Sequence, residues 1–291
     1  MTLARRFLLL LVSLLLWGCS PPLASLVTAP AMVARTTAAK RELLSLPPPK
    51  GKVKVAVYNF RDQTGQYKPQ PNVSSFSTAV TQGGTALLVQ ALKDSNWFIP
   101  LEREGLQNLL TERKIIRAGL DKQGDSPEEL PPLETASLMI EGGVVGYDSN
   151  LVTGGLGARY FGLGGDVKYR VDQVTVNLRA VDVKTGRVLK SLSTSKTVLS
   201  REISAGIFRF VEFKRLLEAE TGMTTNEPVL LAVQGAIEKA VFSLVVEGLR
   251  EGFWVLKDAR DMQNPAILDY LVDLRQAREP RSKIDLGKSF F

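Results

Sequence analysis

Acid–base and nucleophilic chemistry need side chains that this chain mostly lacks. Histidine is absent from all 291 residues and cysteine occurs once, at Cys19. Without histidine there is no Ser-His-Asp or Cys-His arrangement, and the usual zinc sites have no ligands. The carboxylates Asp62, Glu102, Glu104 and Asp148 are scattered, with no spacing that pairs them, and read as surface charges. A hydrolase is therefore a reading the residues do not support, and the chain is taken as a non-enzyme without a metal or diffusible cofactor. Gly142 and Gly143 invite a phosphate-loop reading, but no Gly-x-Gly-x-x-Gly lies between a strand and a helix.

The remaining chemistry is at Cys19. Arg5 and Arg6 precede an apolar run over residues 7–17, followed by Gly18 and Cys19. A basic start, a short apolar stretch and a small residue before the cut form an export signal over residues 1–18. The run falls short of the roughly 20 apolar residues of a permanent membrane helix. Leu16-Trp17-Gly18-Cys19 resembles a bacterial lipobox, whose cysteine is lipidated, although Trp17 stands where a smaller residue is usual. Cys19 is thus the expected lipid attachment site, palmitate included, and the alternative is an ordinary signal with an incidental cysteine. A single cysteine leaves no internal disulfide. Removing residues 1–18 takes away Arg5 and Arg6 and leaves 35 basic against 30 acidic residues, a net +5. That excess selects no partner, and no dense basic block with interleaved aromatics points to nucleic acid.

The elements that must position any site alternate between strand and helix. Residues 20–50 are rich in Pro, Ala and Thr and read as an extended tether. Val53, Val55 and Val57 alternate with polar or small residues, a strand over 52–60. Residues 79–93 and 103–117 carry apolar residues at helical spacing, and 97–101 is a short strand between them. Residues 119–132 read as a polar, mobile loop. Residues 137–147 form a strand, and 173–183 with 188–195 form a hairpin across Thr185-Gly186. Asn226 as N-cap and Pro228 in the first turn open a long core helix. A further helix is expected around 266–275, with a loose end after it.

Two stretches break this α+β pattern. Residues 151–171 hold six glycines between Gly154 and Gly165, with Tyr160, Phe161 and Tyr169. Residues 197–225 include Phe208, Phe210 and Phe213 in a partly alternating run. Each is long enough for a hairpin of two strands of roughly 9–11 residues, the length that spans a bilayer. Two hairpins give four strands, whereas the smallest barrels need about eight. An open edge in lipid is not allowed, so inserted hairpins require an oligomer that pools its strands. The alternative is a pair of glycine-rich surface hairpins, such as a lid.

Residues 57–69 (VYNFRDQTGQYKP), 76–80 (FSTAV), 91–103 (ALKDSNWFIPLER), 105–110 (GLQNLL), 112–118 (ERKIIRA), 157–162 (GARYFG), 205–210 (AGIFRF) and 226–228 (NEP) resemble, in order, the curli secretion channel family, CsgG. The resemblance runs from the lipobox to about Leu256. It implies an outer-membrane lipoprotein with a periplasmic α+β domain, and a nine-subunit ring whose four strands per subunit make one barrel of about 36 strands. It implies passive, nucleotide-independent export of unfolded curli-type amyloid subunits, with a periplasmic adaptor and a surface-exposed accessory protein as partners.

On that family's layout the chain divides into a signal peptide (1–18), a lipidated tether (19–50) and a first periplasmic part (51–150) holding a constriction loop (66–76). Then follow a transmembrane hairpin (151–171), a periplasmic β-hairpin (172–196), a second transmembrane hairpin (197–225), a core helix (226–256) and an extension (257–291). The constriction loop lines the pore. Phe76 keeps the family's phenyl position, while Gln70 stands at its tyrosine position and Ser75 at its asparagine position, unless a shifted register puts Asn72 there. The loop is one residue longer than the family pattern, and Phe76 as a mere loop anchor is the alternative. Phe161, Phe208 and Phe210 match family aromatics and are expected at the membrane interface. The rival function is a periplasmic lipoprotein scaffold that binds envelope partners and never inserts.

Overall fold

The computed structural model of the chain describes residues 36–67, 78–123, 130–154, 167–204, 207–211 and 228–278. The chain divides into two units, 1–36 and 37–291, and the second is built on one mixed sheet. Its strands are β1 (Val53–Asp62), β2 (Phe98–Glu102), β3 (Leu138–Gly154), β4 (Val167–Asp182), β5 (Val188–Ser204) and β6 (Ile207–Val211). They lie in the order β2-β1-β3-β4-β5-β6. β1 is parallel to both β2 and β3, and the ladder from β3 to β6 is antiparallel. Parallel neighbours need crossovers. α2 (Gly84–Asp94) connects β1 to β2, and α3 (Leu106–Gln123) connects β2 to β3.

Helices cover one face. α4 (Pro228–Glu251) lies across β4 and β5, while α2 lies across β1 and β2 and also touches α4. The strands meet them with every second residue: Val174, Val176, Leu178 and Ala180 of β4 and Val198 of β5 are buried. α4 passes a length-and-hydropathy test for a membrane span at mean hydropathy 1.8, yet 78% of that window is buried. It is a core helix, apolar on most sides because the sheet, α2 and α1 (Ala38–Leu44) pack around it. The buried indoles satisfy their N–H groups on backbone: Trp97 donates to Pro47 O at 2.9 Å and Trp254 to Val245 O at 2.8 Å.

The expected α+β class is what the fold displays, with three differences in detail. The segment read as a tether is folded from Thr37 onward. α1 is capped by Thr37, buries Leu43 and ties to the rest through Lys40–Asp94 at 2.9 Å and Lys239–Glu42 at 2.5 Å. The helix expected from residue 79 starts at Gly84 instead, where a Cβ would meet Phe60 O at 2.5 Å; buried Ala79 and Val80 precede it as loop anchors. α3 runs on to Gln123, into the stretch read as loop. The further helix expected around 266–275 is present, running from Pro265 to Arg278. α5 (Pro265–Arg278) buries Ile267 completely, and Tyr270 stacks edge-on to Phe242 at 5.8 Å.

Candidate functional site

The site lies at the end of the sheet where β1 stops and its neighbours continue. β1 ends at Asp62, paired with Val144, but β3 extends to Gly154, β4 begins at Val167 and β5 ends at Ser204. β3 crosses the expected 150/151 boundary without interruption, and its pairing with β4 holds from Leu138↔Asp182 to Gly154↔Val167, broken by one bulge at 144–146. β6 adds a fourth strand to this extension. The period-two run that marks the β4–β5 hairpin therefore continues into both glycine-rich stretches.

The loop that leaves β1 has a fixed stem at the same level. Asp62 Oδ1 accepts from Thr64 N at 2.8 Å and from Thr64 Oγ1 at 2.7 Å, an Asx turn that reverses the chain. Gly65, at φ +64°, takes the left-handed conformation the turn requires. Tyr67 and Thr78 bridge antiparallel, and Ala79 N donates to Gln66 O at 2.8 Å. Gln66 Nε2 donates to Tyr147 O at 2.9 Å and Gln63 N to Val144 O at 2.8 Å, so β3 carries the stem. The expected constriction residues Gln70, Ser75 and Phe76 lie between the bridged pair, outside the described residues, as do Cys19 and Phe161. Phe208 and Phe210 lie in β6, at the register positions opposite Glu202 and Ser200.

Sequence reasoning did not single out a polar cluster at this level. Asp172 is 0% exposed on the helix-covered face of β4. Its Oδ1 accepts from the Tyr147 hydroxyl at 3.0 Å and from Arg170 Nε at 3.2 Å, while Oδ2 has no partner among the described residues. Burial pushes the Tyr147 phenol above its ordinary value, so it remains a donor. The available signal was the alternation itself: Asp172 breaks the inward series Val174, Val176, Leu178, Ala180. Of the scattered carboxylates, Asp62 makes the turn and Glu102 accepts from Gly105 N at 2.6 Å, and they are not brought together. Among the described residues no group of three His, Cys, Asp or Glu side chains is placed to hold a metal.

The described residues thus bring together a strand extension past the end of β1 and a loop stem pinned to β3 beside it. Comparison with known proteins places the chain in a family. The family model described as curli production assembly/transport component CsgG matches residues 36–272. A protein of that name from Salmonella typhimurium is 50% identical over 268 residues, covering 91% of this chain and 96% of its own length. Its namesake from Escherichia coli strain K12 is 49% identical over 269 residues, with the same coverage. The family match runs through most of α5, beyond the point near Leu256 where the resemblance was expected to fade.

Proposed function

Because the chain belongs to the CsgG family of curli production assembly/transport components, we propose that it forms a homo-oligomeric outer-membrane channel that exports unfolded curli-type subunits. Transport is passive, driven by the subunits' concentration difference, confinement and folding outside the cell, without nucleotide hydrolysis. The observation that carries the reading is the strand count. Four strand ends, those of β3, β4, β5 and β6, prolong the sheet past the end of β1. Four strands cannot close a barrel and an open edge is excluded from lipid, so several copies, nine on the family pattern, share one wall.

Lipid on Cys19 anchors the chain, and Phe161, Phe208 and Phe210 mark the membrane interface. The loop between Tyr67 and Thr78 narrows the pore with Phe76, while Gln70 and Ser75 make the neighbouring belts more polar. A periplasmic adaptor and a surface-exposed accessory protein complete the system. The test is single-channel recording of the purified full-length protein in a planar bilayer. Stable unitary conductance is expected, and Phe76→Ala should raise it while gel filtration in detergent still shows the assembled ring. Protein that stays unassociated and never conducts would leave the non-inserting scaffold as the function.

A further inference from the structure

Two fixed points set the direction in which a loop leaves a sheet. For the loop between Tyr67 and Thr78 the returning leg supplies one, because Ala79 and Val80 are buried in the core. The departing leg, Gln63 to Tyr67, has no buried residue. It is held by hydrogen bonds, and Gln66 makes three of them. Its N donates to Thr64 Oγ1 at 3.3 Å, its O accepts from Ala79 N at 2.8 Å, and its Nε2 donates to Tyr147 O at 2.9 Å. The first two tie the legs to themselves and to each other. The third ties them to the wall.

The acceptor lies where β3 has outrun its neighbour. β1 ends at Asp62, opposite Val144, and Tyr147 is three residues farther along β3. A strand without a neighbour presents unpaired backbone groups. The Gln66 amide takes up one of them, as the next N–H of β1 would have done. The other ties of the departing leg come before or within the turn: Gln63 N to Val144 O at 2.8 Å, and Thr64 N and Oγ1 to Asp62 Oδ1. From the returning leg, Gln82 Nε2 meets Asp62 Oδ2 at 3.4 Å, a long and weak bond. Past the Asx turn, the Gln66 amide makes the one hydrogen bond from the departing leg to β3 among the described residues.

We propose that Gln66 is a positioning residue for the pore: through Tyr147 O its amide sets the angle at which the loop projects from the wall, and so the aperture. The inference rests on the reading of that loop as the constriction. Ten residues separate Tyr67 from Thr78. The tip therefore lies at most about 17 Å from the stem, and a tilt of about 10° moves it by about 3 Å. In a ring of identical copies that displacement enters the pore radius directly. A supporting contact of this kind holds a functional side chain in place without touching what passes it.

The test compares Gln66→Met and Gln66→Lys in the full-length protein, in a planar bilayer near 1 M salt, where the Debye length is about 3 Å and an added charge is screened. Methionine keeps the length and removes the donor, whereas lysine restores a donor that can reach the carbonyl. In Gln66→Met, stems without the bond should become about fivefold more frequent, the weight of one net hydrogen bond. Open-channel noise and the spread of unitary conductance should rise, while the unfolding midpoint and the ring in detergent stay as in the parent. Gln66→Lys should return the noise and the spread to the parent's values. Quiet, parent-like channels in Gln66→Met, when Phe76→Ala does change conductance, overturn the inference and leave the constriction reading standing. So does a Gln66→Lys channel as noisy as Gln66→Met, since the donor would then not matter, and so does loss of the ring in Gln66→Met, which would assign Gln66 to assembly. If Phe76→Ala also changes nothing, the constriction reading falls with the inference. If the unsubstituted protein does not conduct, the channel reading falls as well.

Discussion

Along β4 the two faces of one strand follow different rules within the same ten residues. Val174, Val176 and Leu178 are fully buried, each beside an outward neighbour, Thr175, Asn177 or Arg179, that is at least partly exposed. The inward series is specified by volume, because α4 packs on it with Ala232, Val233, Ala236 and Ile237. The outward series is specified by polarity and small size. Two polar residues on the inward face are accommodated by α4: Thr194 Oγ1 donates to Ala236 O at 2.8 Å, and the Lys196 stem lies over Gly235, 3.7 Å from where a Cβ would be. One face is thus committed to holding the domain together, and the other carries no helix among the described residues.

Substitutions should separate the faces most sharply at their centre. Leu178→Ala removes a fully buried side chain and leaves a cavity, costing about 2–5 kcal/mol. Ser193→Ala, on the open face of the paired strand, should change stability by less than about 0.5 kcal/mol. Midpoints of urea unfolding followed by tryptophan fluorescence test the pair, and similar losses in both would show that the open face is packed against something. Tyr147→Phe should come next. It withdraws a donor from a buried carboxylate that already has one unpaired oxygen, costing about 1–3 kcal/mol. The effect should concentrate in the strand extension, read as faster amide exchange in β3 and β4 beyond residue 147. Uniform exchange would assign Tyr147 to the core alone.

These contrasts also explain what was legible in the sequence. The β4–β5 hairpin could be read because its alternation is clean and Gly186, at φ +71°, marks the turn. α4 could be read because its apolar residues continue for six turns. α1 could not: seven residues in an Ala-, Thr- and Pro-rich stretch carry little helical signal, and its stability comes from residues far away, Glu238, Asp94 and Lys239. The Asp172 cluster was hidden for a related reason. A single inward charge looks like a lapse in the pattern until Tyr147 on β3 and Arg170 on β4 are placed against it. The family motifs identified the constriction loop, but the stem that holds it depends on Gln66 reaching Tyr147, a contact across 81 positions.

Smaller effects than that of Tyr147→Phe come from two buried glutamates on α4, and they have opposite signs. At Glu247, burial opposes ionisation, but hydrogen bonds from Lys190 and Tyr270 outweigh it and hold the carboxyl below its ordinary value. Tyr270 itself is pushed up to about 12, chiefly by burial, and so stays a donor. Lys190, although partly desolvated, is held above the ordinary lysine value by Glu247 and Glu251. A lowered carboxyl stabilises the fold above its unfolded value, about 4.3, and that contribution is lost as pH falls through the folded value. The raised lysine contributes fully below about 10.4 and is lost as pH rises through its folded value. At Glu238, burial dominates and raises the carboxyl despite the bonds from Thr37 and Gln234. Its cost is absent below about 4.3 and grows as pH rises through the raised value. Glu247→Gln should therefore lose stability at pH 7, with the gap closing in acid. Glu238→Gln should equal the parent in acid and gain up to about 1 kcal/mol at pH 7, the size of a net hydrogen bond. Unfolding midpoints of the two variants between pH 4 and 8 should diverge. Parallel curves would mean that Glu238, like Glu247, is stabilised as an anion.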